Sequence, residues 1–175
     1  MQYCAAPSIV ISPYQHLQQA LGLTAITHVV SILGRSDRLE WPSVGNRKIL
    51  RLEFDDVGYC SQGWVAPRRD HIVELIEFAR SWGGLGSIAI HCRAGSSRSP
   101  AAAMIVAASL GVPGAQSLIM RVRTAKAYFR PNEAMLKLAD ELLQSAPTLV
   151  ELARAVPIPL RAVPWGAVRV ALRSP

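Results

Sequence analysis

Residues 87–99 read SIAIHCRAGSSRS, and the chain continues PAAAMIVAASLG to residue 111. SIAIHC, 87–92, is an apolar run following the glycine-rich GGLG, and it predicts a buried strand. SPAAAMIVAASLG, 99–111, is apolar nearly all round, which predicts a helix enclosed by protein. Between strand and helix, five residues separate Cys92 from Arg98, and most of them are small. The successive N–H groups of such a loop, together with the helix N-terminus, form a positive, donor-lined concavity suited to an oxyanion. Gly95 permits a backbone turn that a Cβ would resist. Ala94, Ser96 and Ser97 leave the amides accessible, and Arg98 can fold back to bind two phosphate oxygens. The same donors favour the thiolate of Cys92. That sulfur is placed for in-line attack on phosphorus.

The rest of the chain supplies a frame for this loop. SIVIS (8–12), ITHVVSIL (26–33) and KILRLEF (48–54) read as three further strands, with a helical segment to about Leu21 after the first. Residues 34–47 read as a polar loop. Pro67 suits the first position of a helix, and Ile72, Leu75, Ile76, Ala79 and Trp82 recur at helical spacing behind it. Two more helices are expected near 114–126 and 132–144, with Arg121 and Arg123 on an exposed face. Strands alternating with helices imply an α/β fold, with a mostly parallel central sheet flanked by helices. Ligands of such sheets bind beyond the carboxyl ends of the strands, which is where Cys92 lies. We expect one catalytic domain over 1–146 and a proline-containing extension over 147–175.

The chain has 175 residues, 50% hydrophobic and 18% charged, a balance that suits a globular protein with a sizeable core. Its net charge of +7, carried overwhelmingly by arginine, favours anionic partners without choosing among them. Three cysteines, Cys4, Cys60 and Cys92, argue for a reducing compartment rather than a disulfide framework, and no pair has zinc-ligand spacing. No stretch reaches the roughly 18 uninterrupted apolar residues of a membrane span. A soluble cytoplasmic protein without metal or cofactor is expected. The aromatic residues lack the interleaved pattern of a nucleic-acid platform, so nucleic acid is not an expected partner.

HCRAGSSRS, with His91, Gly95 and Ser99 flanking the Cys-x5-Arg core, resembles the signature of the cysteine-based protein tyrosine phosphatase superfamily. ITHVVSIL and RPNEAMLKLADELL resemble segments of its dual-specificity branch. The resemblance covers roughly residues 8–145. It implies a phosphatase that hydrolyses phosphotyrosine, with phosphoserine and phosphothreonine as further substrates, through a phosphocysteine intermediate. Cys92 is then the nucleophile. The amides of Arg93, Ala94, Gly95, Ser96, Ser97 and Arg98 hold the phosphate with the Arg98 guanidinium. Ser99 assists departure of the thiolate, and His91 orders the loop.

The mechanism also needs an upstream aspartic acid to protonate the leaving group and then activate water. LEFDDVG supplies two. The family pattern favours Asp56, which an aliphatic residue follows, with Asp55 as the alternative. Cys60 could form a disulfide with Cys92 under oxidation, although a partly buried thiol is the simpler expectation. A sulfurtransferase or arsenate reductase could use a similar loop, but neither needs the upstream acid. A non-catalytic phosphoresidue-binding module would lack nucleophile or acid, and both are present. The substrate is a phosphorylated protein or another phosphomonoester. The loop lacks the lysines that accompany inositide specificity.

Overall fold

The computed structural model describes residues 6–23, 25–111, 115–126, 128–157 and 166–172. Cys4 lies outside them. The first strand, β1 (Ser8–Pro13), leads through a 3-10 turn into α1 (Leu17–Leu23) and then β2 (Ile26–Leu33). After a second 3-10 turn at Arg35–Asp37 come β3 (Lys48–Glu53), α2 (Arg69–Trp82), β4 (Ser87–Cys92) and α3 (Arg98–Ser109). The chain closes with α4 (Ala115–Thr124), α5 (Glu133–Leu143), α6 (Leu149–Arg154) and β5 (Val168–Ala171).

The five strands form one mixed sheet in the order β3-β2-β4-β1-β5. β1, β2, β3 and β4 run parallel, and β5 is antiparallel to β1. Alternation along the strands splits the core into two layers. Ile9, Ile11, Ile88 and Ile90 face the layer that holds α2, α3, α4 and α5. Val10, Val29 and Ala89 face the smaller layer of Leu17, Ala20 and Leu21 from α1, closed by Val44. β4 is buried at all six positions because helices cover both faces. α3 is almost wholly buried, as its composition predicts.

One boundary of α2 differs from expectation. Pro67 stands outside α2, which starts at Arg69. Arg68 is extended, and its N–H donates to His71 Nδ1 at 3.1 Å, so a side-chain cap rather than the proline sets the start. The helix ends at Gly83, whose φ of 60° lets its N–H reach Ala79 O at 3.1 Å.

The stretch from 147 onward is not loosely attached where it is described. Thr148 caps α6 with Glu151 in a capping box, and Leu149 is fully buried. β5 pairs Ile9 with Val170, and Leu172 N–H donates to Pro7 O at 2.8 Å. A four-residue strand among prolines carries too little periodicity to be read in advance. No described helix is long and apolar enough to cross a membrane.

Candidate active site

β4 delivers Cys92 to the C-terminal edge of the sheet, in register with Pro13 of β1 and Ile32 of β2. The chain then turns through 93–97 into α3. Gly95 has a φ of 71°, the left-handed conformation that only glycine adopts without strain, and this points its N–H at Cys92 Sγ, 3.2 Å away. Ser99 Oγ lies 3.3 Å from the same sulfur. Cys92 is 1% exposed, at the floor of the loop.

The loop is held from outside as well. Tyr14 N–H donates to Arg93 O at 3.1 Å, Arg130 N–H to Ser96 O at 2.8 Å and Asn132 N–H to Ser97 O at 3.2 Å. These bonds consume loop carbonyls, while the Gly95 N–H faces the sulfur. His91 sits behind, fully buried, its ring packed near Tyr14. Burial pushes its pKa down to about 4, with the charge of Arg98 adding to the effect, so the imidazole is neutral at ordinary pH.

Arg98 is 3% exposed. Its guanidinium donates to Phe54 O at 2.9 Å and forks onto Asp37, with Nη1 2.9 Å from Oδ2 and Nη2 3.1 Å from Oδ1. Burial opposes the charge, but the hydrogen bonds and charge of Asp37, with help from Cys92 and Asp56, outweigh it and raise the pKa of Arg98. Among the described residues Nε of Arg98 has no partner, which leaves one donor beside the loop uncommitted.

Asp37 belongs to the 3-10 turn at Arg35–Asp37, where Gly34 N–H donates to its Oδ2 at 2.8 Å. The loop read as merely polar therefore carries the counter-charge of Arg98. The sequence holds no periodic signal for Asp37, because a lone acid among Gly, Ser and Arg reads as a turn.

The two candidate acids separate. Asp55 is fully buried. It accepts from Val65 N–H at 2.8 Å, from Ser36 N–H at 3.1 Å and from the Ser36 hydroxyl. Burial alone would raise its pKa, but these bonds and the charge of Arg98 together hold it below the ordinary value. Gly34 is required opposite, since a Cβ there would stand 2.2 Å from Asp55 Oδ1.

Asp56, by contrast, is exposed. Its Oδ1 accepts from Ser97 Oγ at 2.7 Å and from Asn132 Nδ2 at 2.9 Å. Asn132 also caps α5 by accepting from Met135 N–H at 3.1 Å, so one residue ties loop, acid and helix together. It lies in the RPN segment at 130–132, where the sequence alone gives the asparagine no role.

Asp56, Arg93, Ala94 and Arg98 border one cleft of about 540 Å³, with Ser36, Asp37, Arg38 and Trp64 on its walls. Cys60 is an exposed free thiol rather than a partly buried one, and accepts from Ala66 N–H at 3.4 Å.

No family model matches the chain, and no curated protein does. Solved structures do. The crystal structure of DUSP15 is 20% identical over 85% of this chain and 90% of its own, with a TM-score of 0.61. Human DUSP28 is 16% identical over 86% of this chain and 96% of its own, with a TM-score of 0.57. A mouse putative dual specificity phosphatase, crystallised with zinc tungstate, is 16% identical over 82% of this chain and 91% of its own, also at 0.57. At these identities each likeness is one of backbone architecture. The chain has the fold of the dual-specificity phosphatases.

Proposed function

We propose that this protein is a cysteine-dependent phosphatase that hydrolyses phosphotyrosine, and also phosphoserine and phosphothreonine, through a phosphocysteine intermediate. The observation that supports this reading is the tie between Asp56 and Ser97, which holds a carboxyl on the rim of the loop that surrounds Cys92. In the first step Cys92 Sγ attacks phosphorus, the S–P bond forms and the P–O bond to the leaving group breaks. Asp56 gives its proton to the departing oxygen. In the second step the Asp56 carboxylate takes a proton from water, whose oxygen attacks phosphorus. The S–P bond breaks, inorganic phosphate leaves, and the Ser99 hydroxyl hydrogen-bonds the released sulfur. The loop amides and Arg98 Nε carry the phosphate oxygens, and Asp37 keeps the guanidinium in place.

The cleft is open, and Trp64 at its wall offers a face to an aryl leaving group. Arg38 and Arg93 line the same cleft, which suits acidic surroundings in the substrate. The protein would work in a reducing compartment such as the cytoplasm, where the nucleophile stays a thiol. The test is phosphate release from an aryl phosphate in chelator and reductant. Activity in the wild type that vanishes in Cys92→Ser supports the reading. Folded, reduced wild type that releases no phosphate from aryl phosphates or phosphopeptides overturns it.

A further inference from the structure

The sequence reads Arg123 as part of an exposed helix face, yet it is fully buried. Its Nε donates to Ala153 O at 2.8 Å and its Nη2 to Val156 O at 2.7 Å, at the end of α6. Those bonds explain its position and offset part of its charge, as helix-end carbonyls do. They do not supply a counter-ion. Nη1 has no hydrogen-bond partner, and no ion pair forms at Arg123 among the described residues. All 12 Asp and Glu residues of the chain lie among those described, so no undescribed side chain can bring the missing carboxylate. Buried charges are ordinarily paired, because an unpaired one forfeits its hydration for nothing. Burial lowers the pKa of Arg123 with no opposing cause.

Arg123 lines a pocket of about 310 Å³ between α4, α5 and α6. Arg130, also on its wall, is exposed and makes no ion pair among the described residues. Arg154 is neutralised by Glu133, at 2.6 Å and 3.2 Å, and Lys137 reaches the same carboxylate at 2.9 Å. Two arginines are therefore uncompensated on one pocket, whose remaining wall includes the apolar Leu136, Val150 and Pro157. The volume is that of a small ligand.

We infer that this pocket is a second oxyanion site, for a small anion with an apolar body, separate from the phosphate loop. The oxyanion pairs with the Arg130 guanidinium, in the field of the buried Arg123 charge. The apolar body packs on Leu136, Val150 and Pro157. Arg130 N–H also holds Ser96 O, and Asn132, two residues on, holds Asp56, so the same short strap borders both sites. The inference does not rest on the phosphatase reading, because it concerns binding and needs no turnover.

The experiment titrates wild-type protein with phenylphosphonate while methyl resonances are followed by NMR. Leu136 and Val150 report the pocket, and Ala94 reports the phosphate loop. The expected result is saturable shifts at Leu136 and Val150 with a half-saturation distinct from that of Ala94. Arg130→Glu then weakens the pocket response about tenfold, the loss expected for one charge-assisted contact. Arg130→Gln serves if the spectrum shows that the glutamate variant misfolds. Benzenesulfonate reproduces the shifts, and benzyl alcohol, which lacks the charge, does not. Silent Leu136 and Val150 methyls overturn the inference. So do shifts that follow the Ala94 curve and ignore both Arg130 variants, since those are relayed from the phosphate loop.

Discussion

Asp55 and Asp56 are adjacent in the chain, leave the same strand end and carry the same carboxyl group. One is sealed among donors from Ser36 and Val65, against a glycine that leaves no room for a side chain. The other is open to solvent and shares one oxygen between Ser97 and Asn132, with the second oxygen free of any protein partner among the described residues. The difference is one of commitment. A carboxylate saturated by buried donors stabilises a fold but has no lone pair or proton to offer. A carboxylate held by one oxygen is oriented and still available.

The largest expected effect is on turnover. Asp56→Asn should lower kcat by about 10²–10⁴-fold, the usual worth of a general acid, with unchanged denaturant midpoint. Asp55→Asn should do the reverse, costing about 1–3 kcal/mol of stability in urea unfolding while the folded fraction keeps most of its kcat. If Asp55→Asn matches the Asp56 variant in lost turnover and leaves stability alone, the two roles are exchanged.

A smaller effect is expected one contact further out. Asn132→Asp keeps an acceptor for Met135 N–H but sets a second negative charge beside Asp56. It should move the alkaline limb of the kcat profile, which reports the protonated acid, to higher pH, a shift that a merely structural asparagine would not produce.

The smallest is in the pH dependence of stability. The depressed pKa of Asp55 contributes stability that is complete above its ordinary value of 3.8 and is lost as pH falls through the lower folded value. His91 is also depressed, from 6.5 to about 4, so its contribution fades between those two limits as pH falls. Urea midpoints measured from pH 7 to pH 3 should show two declines. His91→Gln should remove the upper one and Asp55→Asn the lower.

What could be read in advance followed the physics of periodicity and local chemistry. The strand at 87–92, the enclosed helix after it and the loop between them are all specified within one continuous stretch, and the structure brings Cys92, Arg98 and Ser99 together there. The alternation of strands and helices gave the parallel part of the sheet. Contacts that join distant segments were not legible. Asp37 meets Arg98 across 61 residues and Asn132 meets Asp56 across 76, and nothing in the composition of either neighbourhood encodes its partner. Arg123 was misjudged for a related reason. Helical spacing marks a face, but the charge of a side chain gives no warning when a later helix, α6, covers that face. β5 was missed because four residues are too few to show a period.

That short strand also governs how the molecule meets others of its kind. β1 has β4 on one side and β5 on the other, and its Ile9, Val10 and Ile11 are almost without exposure. In a chain ending at Gly166 the outer side of β1 would present unpaired N–H and C=O groups along a flat, apolar ribbon, a template on which a second molecule could add a strand. Light scattering from such a shortened chain should grow with time and concentration beyond that of the intact one. The last few described residues then act as a guard against self-association, a duty unconnected with phosphate.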